Sequence, residues 1–310
     1  MLTWILVFLG SLVLLIISAR FFTTASEKIG ILLRMPPFVT GIFIVGIGTS
    51  LPELITGILS VDRGHSEIVP GNLIGSNISN LLLLLGAAVL FNKKDIVLGK
   101  RYLMIDLHYL LGASALLFVF MYDGELKLVE GLIGIAVFLL YSLYLIKAGN
   151  DETGESATQE KPSALKNGLI LLTCGVGIYF GAEYTVTSIT EISTLLEISP
   201  SIIALTVLSV ATTLPELAVN YFSIRKGQSE MAVGNILGSC IFNALVIPGV
   251  AAAFGSITVS PQILAFPLPV LPVATLFFYL LTQDKRISVW EGGLFLLLYA
   301  VFILKSAALV

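Results

Sequence analysis

Two glutamates, Glu53 and Glu216, each follow a proline inside an apolar segment long enough to cross a membrane. The residues around them read Gly-Thr-Ser-Leu-Pro-Glu over 48–53 and Ala-Thr-Thr-Leu-Pro-Glu over 211–216. An acid at the centre of a bilayer costs about 2.5–3.5 kcal/mol, so it is expected to mark a functional site. The matching segments contain no lysine or arginine. We therefore expect a cation to be the partner of both carboxylates.

The prolines predict an interruption in each of these helices. Proline has no N–H and clashes with the carbonyl four residues earlier, so Pro52 should free the carbonyl of Gly48 and Pro215 that of Ala211. Free carbonyls inside a membrane need another partner, and a bound cation or water supplies one.

A second motif, Gly-Asn-x-x-Gly-Ser-x-x-x-Asn, spans residues 71–80 and recurs at 234–243. Its serine and last asparagine are four residues apart and share one helix face. Its two glycines have the small-residue spacing that lets membrane helices approach closely. Helix packing is therefore sufficient to explain why glycine occurs at these two positions. For the serine and asparagine oxygens we favour ion coordination over packing alone.

The predicted ligand set contains only oxygen donors from side chains, together with the freed carbonyls. Its members are Glu53, Glu216, Thr49, Ser50, Thr212, Thr213, Ser76, Ser239, Asn80 and Asn243. Oxygen donors suit Ca²⁺, Na⁺ or Mg²⁺ rather than Zn²⁺ or Cu⁺, and the strict octahedral demand of Mg²⁺ argues mildly against it. Two glutamates neutralise one Ca²⁺. Cys174 and Cys240 lie in apolar stretches and are interpreted as buried free thiols.

The elements that must position these residues are membrane helices. Of the 310 residues, 56% are hydrophobic and only 12% charged, against about 25% charged in a soluble domain. We predict an all-α membrane protein with ten transmembrane helices, each of about 20 residues. The predicted spans are 2–19, 37–60, 69–91, 103–121, 127–147, 167–186, 199–223, 230–254, 263–282 and 289–308. The small net charge of −3 indicates no nucleic-acid partner.

The distribution of basic residues predicts the orientation of these spans. Of the 17 lysines and arginines, 14 fall in the loops joining spans 1–2, 3–4, 5–6, 7–8 and 9–10, and three fall on the other side. Cytoplasmic loops carry the excess of basic residues. We therefore expect a multi-pass protein of the cell membrane with both termini outside.

An internal repeat appears when the sequence is shifted by 163 positions. Residues 49–86 and 212–249 then align without a gap and share 17 identities in 38 positions. We divide the chain into a first five-helix repeat, 1–147 (motif 41–90), a cytoplasmic linker, 148–166, and a second repeat, 167–310 (motif 204–253). Five is an odd number, so the second repeat should be inverted, as in many secondary transporters.

The two motifs in inverted halves resemble those of the sodium/calcium exchangers of the cation/Ca²⁺ antiporter superfamily, especially the small prokaryotic members. The resemblance implies a core of helices 2, 3, 7 and 8, in which Glu53 and Glu216 bind both Ca²⁺ and Na⁺ and neighbouring Thr, Ser and Asn oxygens complete the sites. It also implies that helices 1 and 6 slide across this core. Asparagine at both 80 and 243 argues against K⁺ dependence, and Ala211 and Thr213 replace the usual Gly and Ser of the second motif.

The sequence thus predicts an antiporter that exchanges Ca²⁺ for Na⁺ by alternating access, with a monomer as the functional unit and no cofactor besides the transported ions. H⁺/Ca²⁺ exchange through the same glutamates is the alternative, because burial of a carboxylate favours its protonated form. A channel or a non-transporting membrane sensor is a third interpretation. An enzyme is disfavoured, because the repeats contain no nucleophile–base pair and no histidine metal site.

Overall fold

The computed structural model describes residues 1–32, 42, 46–92, 95–97, 106–149, 163–225, 229–284 and 286–308. Most of the predicted linker, 150–162, lies outside these described residues. The same holds for 37–41 and 43–45 of the second predicted span and for 103–105 of the fourth.

The fold is all-α apart from four strands of two residues each in the described chain. The helices of the first half are α1 (Leu2–Leu32), α2 (Ile47–Thr49), α3 (Leu51–Asp62), α4 (Ile68–Ile78), α5 (Leu85–Asn92), α6 (Asp106–Met121) and α7 (Leu128–Gly149). A π-helical segment, Ser79–Leu84, connects α4 to α5.

The second half of the described chain contains nine helices. They are α8 (Ala164–Leu196), α9 (Pro200–Ile203), α10 (Ser209–Thr212), α11 (Leu214–Arg225), α12 (Ser229–Leu245), α13 (Ile247–Ala251), α14 (Pro261–Ala265), α15 (Pro267–Leu281) and α16 (Val289–Ala307). A second π-helical segment, Ala204–Leu208, connects α9 to α10.

Among the described residues, eight helical stretches are long and apolar enough to cross a membrane. Helix α6 is apolar but shorter. These stretches confirm a membrane protein built from helices, and their bounds match most predicted spans within three residues.

Two helices extend beyond the predicted spans. Helix α1 continues to Leu32 instead of ending at residue 19, and α8 covers Ala164–Leu196 instead of 167–186. The polar residues after 19 suggested a loop, but a helix need not end where its apolar stretch ends. Helices α1 and α8 pack together, and this partner supports the extra turns.

Helices α1 and α8 form an antiparallel pair. Ser11 hydrogen-bonds Thr185 at 2.9 Å, whereas further along α1 a Cβ on Gly177 would meet Ser18. The partner residue numbers therefore fall along α8 as they rise along α1. A Cβ on Gly181 would lie 2.9 Å from Leu15 Cβ, so glycine is needed at this close approach.

The strands form two short antiparallel ladders that the sequence did not predict. Strand β1 (Ile96–Val97) pairs with β4 (Arg286–Ile287), and β2 (Glu125–Leu126) pairs with β3 (Ile257–Thr258). Each ladder joins the two halves of the chain. Adding 161 to the residue numbers of β1 gives β3, and adding 161 to those of β2 gives β4. The two ladders therefore correspond to each other with the halves of the chain exchanged.

The buried apolar residues form two clusters in the described chain. The larger cluster includes Leu73, Ile74, Leu237 and Ile241 and surrounds α4 and α12. The smaller one joins α1 and α8 to the rest, with Leu15 and Val186 packed together with residues such as Leu59, Ala204 and Leu208. The α1–α8 pair thus packs against the central helices through an apolar cluster that is separate from the larger one.

Candidate ion-binding site

A break in the first central helix brings Glu53 to a helix N-terminus. Helix α2 ends at Thr49, Ser50 has φ −86° and ψ 4°, and α3 begins at Leu51. Pro52 explains the break, because it cannot donate to the carbonyl four residues earlier. Glu53 therefore lies in the first turn of α3, where the helix dipole favours negative charge.

The second half repeats this geometry around Glu216. Helix α10 ends at Thr212, Thr213 has φ −83° and ψ −1°, and α11 begins at Leu214. Glu216 lies in the first turn of α11. The predicted interruptions before both glutamates are therefore confirmed.

Every predicted ligand side chain is buried. All ten have exposed fractions of 0–1%. Polar side chains so deep in an apolar core are costly unless they are paired with one another or with a bound group. An ion site requires such burial, but burial alone does not distinguish the ten side chains. Their hydrogen bonds show which of them lie next to one another.

Around Glu53, contacts come from both halves of the chain. Ser76 on α4 donates to Glu53 Oε1 at 3.4 Å and lies 3.5 Å from Thr212 Oγ1. Thr212 donates in turn to Asn72 Oδ1 at 3.5 Å. A glutamate and a serine of the first half thus meet a threonine of the second.

Around Glu216, the threonine–serine and threonine–asparagine contacts recur with the halves exchanged. Thr49 Oγ1 lies 3.3 Å from Ser239 Oγ and donates to Asn235 Oδ1 at 3.2 Å. The hydroxyls of Thr49 and Ser239 face the Glu216 carboxylate. Both of its oxygens nevertheless have no hydrogen-bond partner within the described part of the chain. Ser239 also donates to the Gly46 carbonyl at 3.2 Å, which brings a backbone oxygen to this site.

Asn77 and Cys240, which are 163 positions apart, contact each other directly. Asn77 Nδ2 donates to the carbonyl of Cys240 at 3.3 Å, and Cys240 Sγ approaches the carbonyl of Asn77 at 3.9 Å. The two halves of the chain therefore meet at equivalent positions of the predicted repeat. The two glutamates lie close enough for their charges to repel each other.

The electrostatics of the site favour a cation. None of the ion pairs found between described residues includes Glu53 or Glu216. One carboxylate oxygen of Glu53 and both of Glu216 have no partner among the described atoms. Two buried acids that repel each other and lack a basic neighbour are best neutralised by a positive ion.

The donor chemistry suits a hard ion. The described residues contain no cluster of three or more His, Cys, Asp and Glu side chains that could hold a metal. The site therefore combines two carboxylates with neutral hydroxyl, amide and carbonyl oxygens, the donor set of Ca²⁺ and Na⁺ rather than of Zn²⁺.

Not all predicted ligands take part in these contacts. Thr213 donates to the Val210 carbonyl of the preceding helix, α10, at 3.0 Å. Ser50, Asn80 and Asn243 are buried with side-chain polar atoms that have no hydrogen-bond partner in the described chain. Their roles remain predictions.

Sequence reasoning missed three asparagines and one carbonyl. Asn72 and Asn235 accept the protons of Thr212 and Thr49, and their recurrence 163 positions apart was the signal that could have revealed them. Asn220 had no such signal, because residue 57 is a glycine. The Gly46 carbonyl had none because every residue carries a backbone carbonyl.

The cysteine predictions had mixed outcomes. Cys240 is buried, as predicted, with an exposed fraction of 1%. Cys174 is only partly buried, so that prediction was wrong. It lies on α8, a helix that packs against α1 and leaves much of its apolar surface exposed.

Comparison with known proteins places these features in a family. The family model described as "Sodium/calcium exchanger protein" matches residues 3–147 and 166–307 of the chain. The matched residues include both glutamate motifs and exclude most of the predicted linker.

Individual relatives cover nearly the whole chain. An uncharacterized membrane protein, MJ0091, of Methanocaldococcus jannaschii is 31% identical over 298 residues, 96% of this chain and 95% of its own length. The sodium/calcium exchanger MaX1 of Methanosarcina acetivorans is 28% identical and covers 96% and 97% of the two chains. A solved structure of the sodium-calcium exchanger NCX_Mj, soaked with Na⁺ and Sr²⁺, superposes with a TM-score of 0.72 at 28% identity and covers 97% of each chain.

Proposed function

The chain belongs to the sodium/calcium exchanger protein family, and we propose that it exchanges Ca²⁺ for Na⁺ across a membrane by alternating access. The observation that carries this proposal is the pair of buried acids, Glu53 and Glu216, at helix N-termini with unpartnered oxygens and no ion pair to a described basic residue. Such a site is completed by a cation. The shared fold with NCX_Mj and the likeness to MaX1 support Na⁺ as the counter-ion.

Ten helices in two inverted repeats are the proposed architecture. Three observations support it: the family model matches two segments of similar length, the threonine contacts cross between halves, and the two strand ladders exchange partners in the same way. The antiparallel pairing of α1 with α8 also fits, because inversion would turn these helices in opposite directions. The positions of the basic residues support external termini.

Competition for the same carboxylates would couple the two ions. Ca²⁺ and Na⁺ would bind in turn to Glu53 and Glu216, because each can neutralise the buried charge. An empty site would leave two repelling acids in a low-dielectric core, which disfavours reorientation without cargo. The α1–α8 pair, with its own apolar cluster, is the proposed mobile element beside the central helices.

H⁺/Ca²⁺ exchange is the second candidate. The facing carboxylates favour it, because a proton also relieves the repulsion between two desolvated acids. The two candidates differ only in the ion that replaces Ca²⁺, so they make different predictions under separate gradients.

The decisive measurement is Ca²⁺ uptake into proteoliposomes. Uptake driven by an outward Na⁺ gradient at clamped pH is expected. Uptake driven by a proton gradient without Na⁺ would support the alternative instead. Uptake that needs no counter-gradient would indicate a channel and refute exchange.

Isosteric removal of each charge tests the site. Glu53→Gln and Glu216→Gln should each abolish Ca²⁺ uptake, because one carboxylate alone leaves the charge of Ca²⁺ half neutralised. Glu125→Gln is the matched control, because Glu125 lies in β2 with a side chain 44% exposed and should leave uptake unchanged. Full uptake by either buried-site variant would refute the assignment.

A further inference from the structure

Asn220 is a buried amide one turn beyond Glu216 on α11. Its exposed fraction is 0%, and its Oδ1 accepts a hydrogen bond from Asn235 Nδ2 at 2.8 Å. This bond is shorter than those that join the threonine and serine hydroxyls of the site. A buried amide pair inside an apolar core needs a reason, because burying polar groups is costly.

The Asn220–Asn235 bond determines which end of the Asn235 amide faces Thr49. Because Asn235 uses Nδ2 to reach Asn220, its Oδ1 is turned towards Thr49 and accepts the Thr49 proton at 3.2 Å. A hydroxyl has one proton to donate and two lone pairs. The Gly46 carbonyl, 3.3 Å from Thr49 Oγ1, is a second acceptor on the same side. With its proton directed at either acceptor, Thr49 keeps its lone pairs for the side that faces Ser239 and Glu216.

The first half of the chain lacks this device. The position equivalent to Asn220 is Gly57, which has no side chain, and the corresponding contact of Thr212 with Asn72 Oδ1 is longer, at 3.5 Å. The serine contacts differ as well, because Ser76 donates to Glu53 Oε1 whereas neither oxygen of Glu216 has a hydrogen-bond partner in the described chain. Asn220 is therefore one of the features that make the Glu216 side of the site different from the Glu53 side.

We propose that Asn220 is a positioning residue that fixes the Asn235 amide so that Thr49 keeps its oxygen lone pairs for the cation held at Glu216. This inference rests on the proposed function as a cation site. Without Asn220, the Asn235 amide is free to rotate by half a turn and donate to Thr49. The Thr49 proton would then turn to the Gly46 carbonyl, and the Asn235 N–H would occupy a lone pair that the cation otherwise uses, which weakens cation binding.

The expected effect is on affinity rather than on maximal rate. Loss of one oriented hydroxyl should raise the half-saturating Ca²⁺ concentration about three- to tenfold, the range of one net hydrogen bond. Maximal uptake should change little, because Asn220 does not touch the ion.

The test compares loss, retention and control variants. Asn220→Leu and Asn220→Ala remove the acceptor, and the smaller alanine variant serves if leucine prevents folding. Asn220→Asp keeps an acceptor oxygen in either protonation state and should not weaken Ca²⁺ binding. Ser223→Ala, which removes another buried hydroxyl of α11 with an exposed fraction of 6%, should leave binding unchanged.

A double-mutant cycle with Thr49→Ala separates positioning from general damage. If Asn220 acts through Thr49, Asn220→Ala should have no further effect on Ca²⁺ affinity in the Thr49→Ala background. A purely structural effect would persist there and overturn the inference, as would unchanged affinity in both loss variants.

Two readouts distinguish failure of this inference from failure of the proposed function. One is uptake into proteoliposomes, and the other is the Ca²⁺-dependent rise in melting temperature of the purified protein. If the unaltered protein binds Ca²⁺ but does not exchange it, the proposed function fails while the cycle can still be measured by melting. If the unaltered protein shows neither uptake nor a Ca²⁺-dependent melting shift, both the exchange proposal and the role of Asn220 are overturned.

Discussion

Replacement of Gly75 by alanine should disturb the candidate ion site, although Gly75 is not one of the predicted ligands. Gly75 lies on α4, where that helix crosses the second half of the chain at Ser209 of α10. A Cβ at residue 75 would lie 2.5 Å from Ser209 Oγ and 2.6 Å from Ser209 Cβ. Ordinary contacts of a Cβ atom lie at 3.4–4 Å. The two helices would therefore have to separate by about 1 Å, a typical consequence of overpacking.

The separation has two calculable consequences. Overpacking of a close helix contact costs about 1–3 kcal/mol of folding free energy. We expect the upper end, because the backbone carbonyl of Leu205 as well as the side chain of Ser209 blocks the space. Ser76, the next residue, already reaches Thr212 at 3.5 Å and Glu53 at 3.4 Å. A further shift of about 1 Å would break the contact between Ser76 and Thr212, which is at the limit of a hydrogen bond.

The assay combines the melting temperature of the purified protein with Ca²⁺ uptake into proteoliposomes. Gly75→Ala should lower both. Gly112→Ala is the matched control, because a Cβ there meets no atom within 4 Å. The control should retain uptake and equal or slightly exceed the stability of the unaltered protein, since alanine is the better helix former. Equal melting temperatures for the two variants would refute the close-packing argument.

Three further substitutions test single contacts by thermal unfolding. Tyr141→Phe removes the 2.8 Å hydrogen bond to the buried Asp106 and should cost about 1–3 kcal/mol, whereas Tyr122→Phe, at a site 70% exposed, should cost nothing measurable. Ser288→Ala removes the capping box of α16 and should lower the free energy of unfolding by about 1 kcal/mol. Ser260→Ala is the control, because Ser260 is an N-cap without a side-chain hydrogen bond. Equal losses of stability in the two variants would contradict the capping argument. Arg63→Ala removes contacts with Glu183 and Thr187 of α8. Because the ion pair is partly exposed, the free energy of unfolding should fall by at most about 1 kcal/mol, and by less at high salt. A larger loss that does not depend on salt would contradict this.

The central acids and their helix breaks could be predicted because their chemistry conflicts with their surroundings. A glutamate and a proline inside an apolar helix are costly, and their recurrence 163 positions apart excludes accident. Burial of the whole predicted set follows from the same pattern, since polar residues in a spanning segment turn away from lipid.

The detailed contacts could not be predicted because they depend on how helices face each other. Asn220 meets Asn235 only through the packing of α11 against α12, and it has no counterpart in the first half. Thr213 has the right chemistry and the right neighbour, yet its hydroxyl bonds to a backbone carbonyl of the preceding helix, α10. Spacing along the chain does not distinguish a side chain that points into a site from one that turns back.

Helix ends and short strands escaped prediction for another reason. The hydropathy pattern reports where a helix leaves the apolar region, and α1 and α8 continue beyond that point along each other. Strands of two residues, such as β1 and β3, are too short to show alternating polarity.

The crossed contacts of Thr49 and Thr212 also bear on how such a protein could arise. In the proposed site, each threonine serves the glutamate of the opposite half, so a half-length polypeptide would carry no complete set of ligands. In the proposed inverted architecture, only a second copy inserted the other way up could complete that set. An ancestor of that kind would have needed dual topology in the membrane, and fusion of two five-helix genes would remove that need by fixing both insertions in one polypeptide.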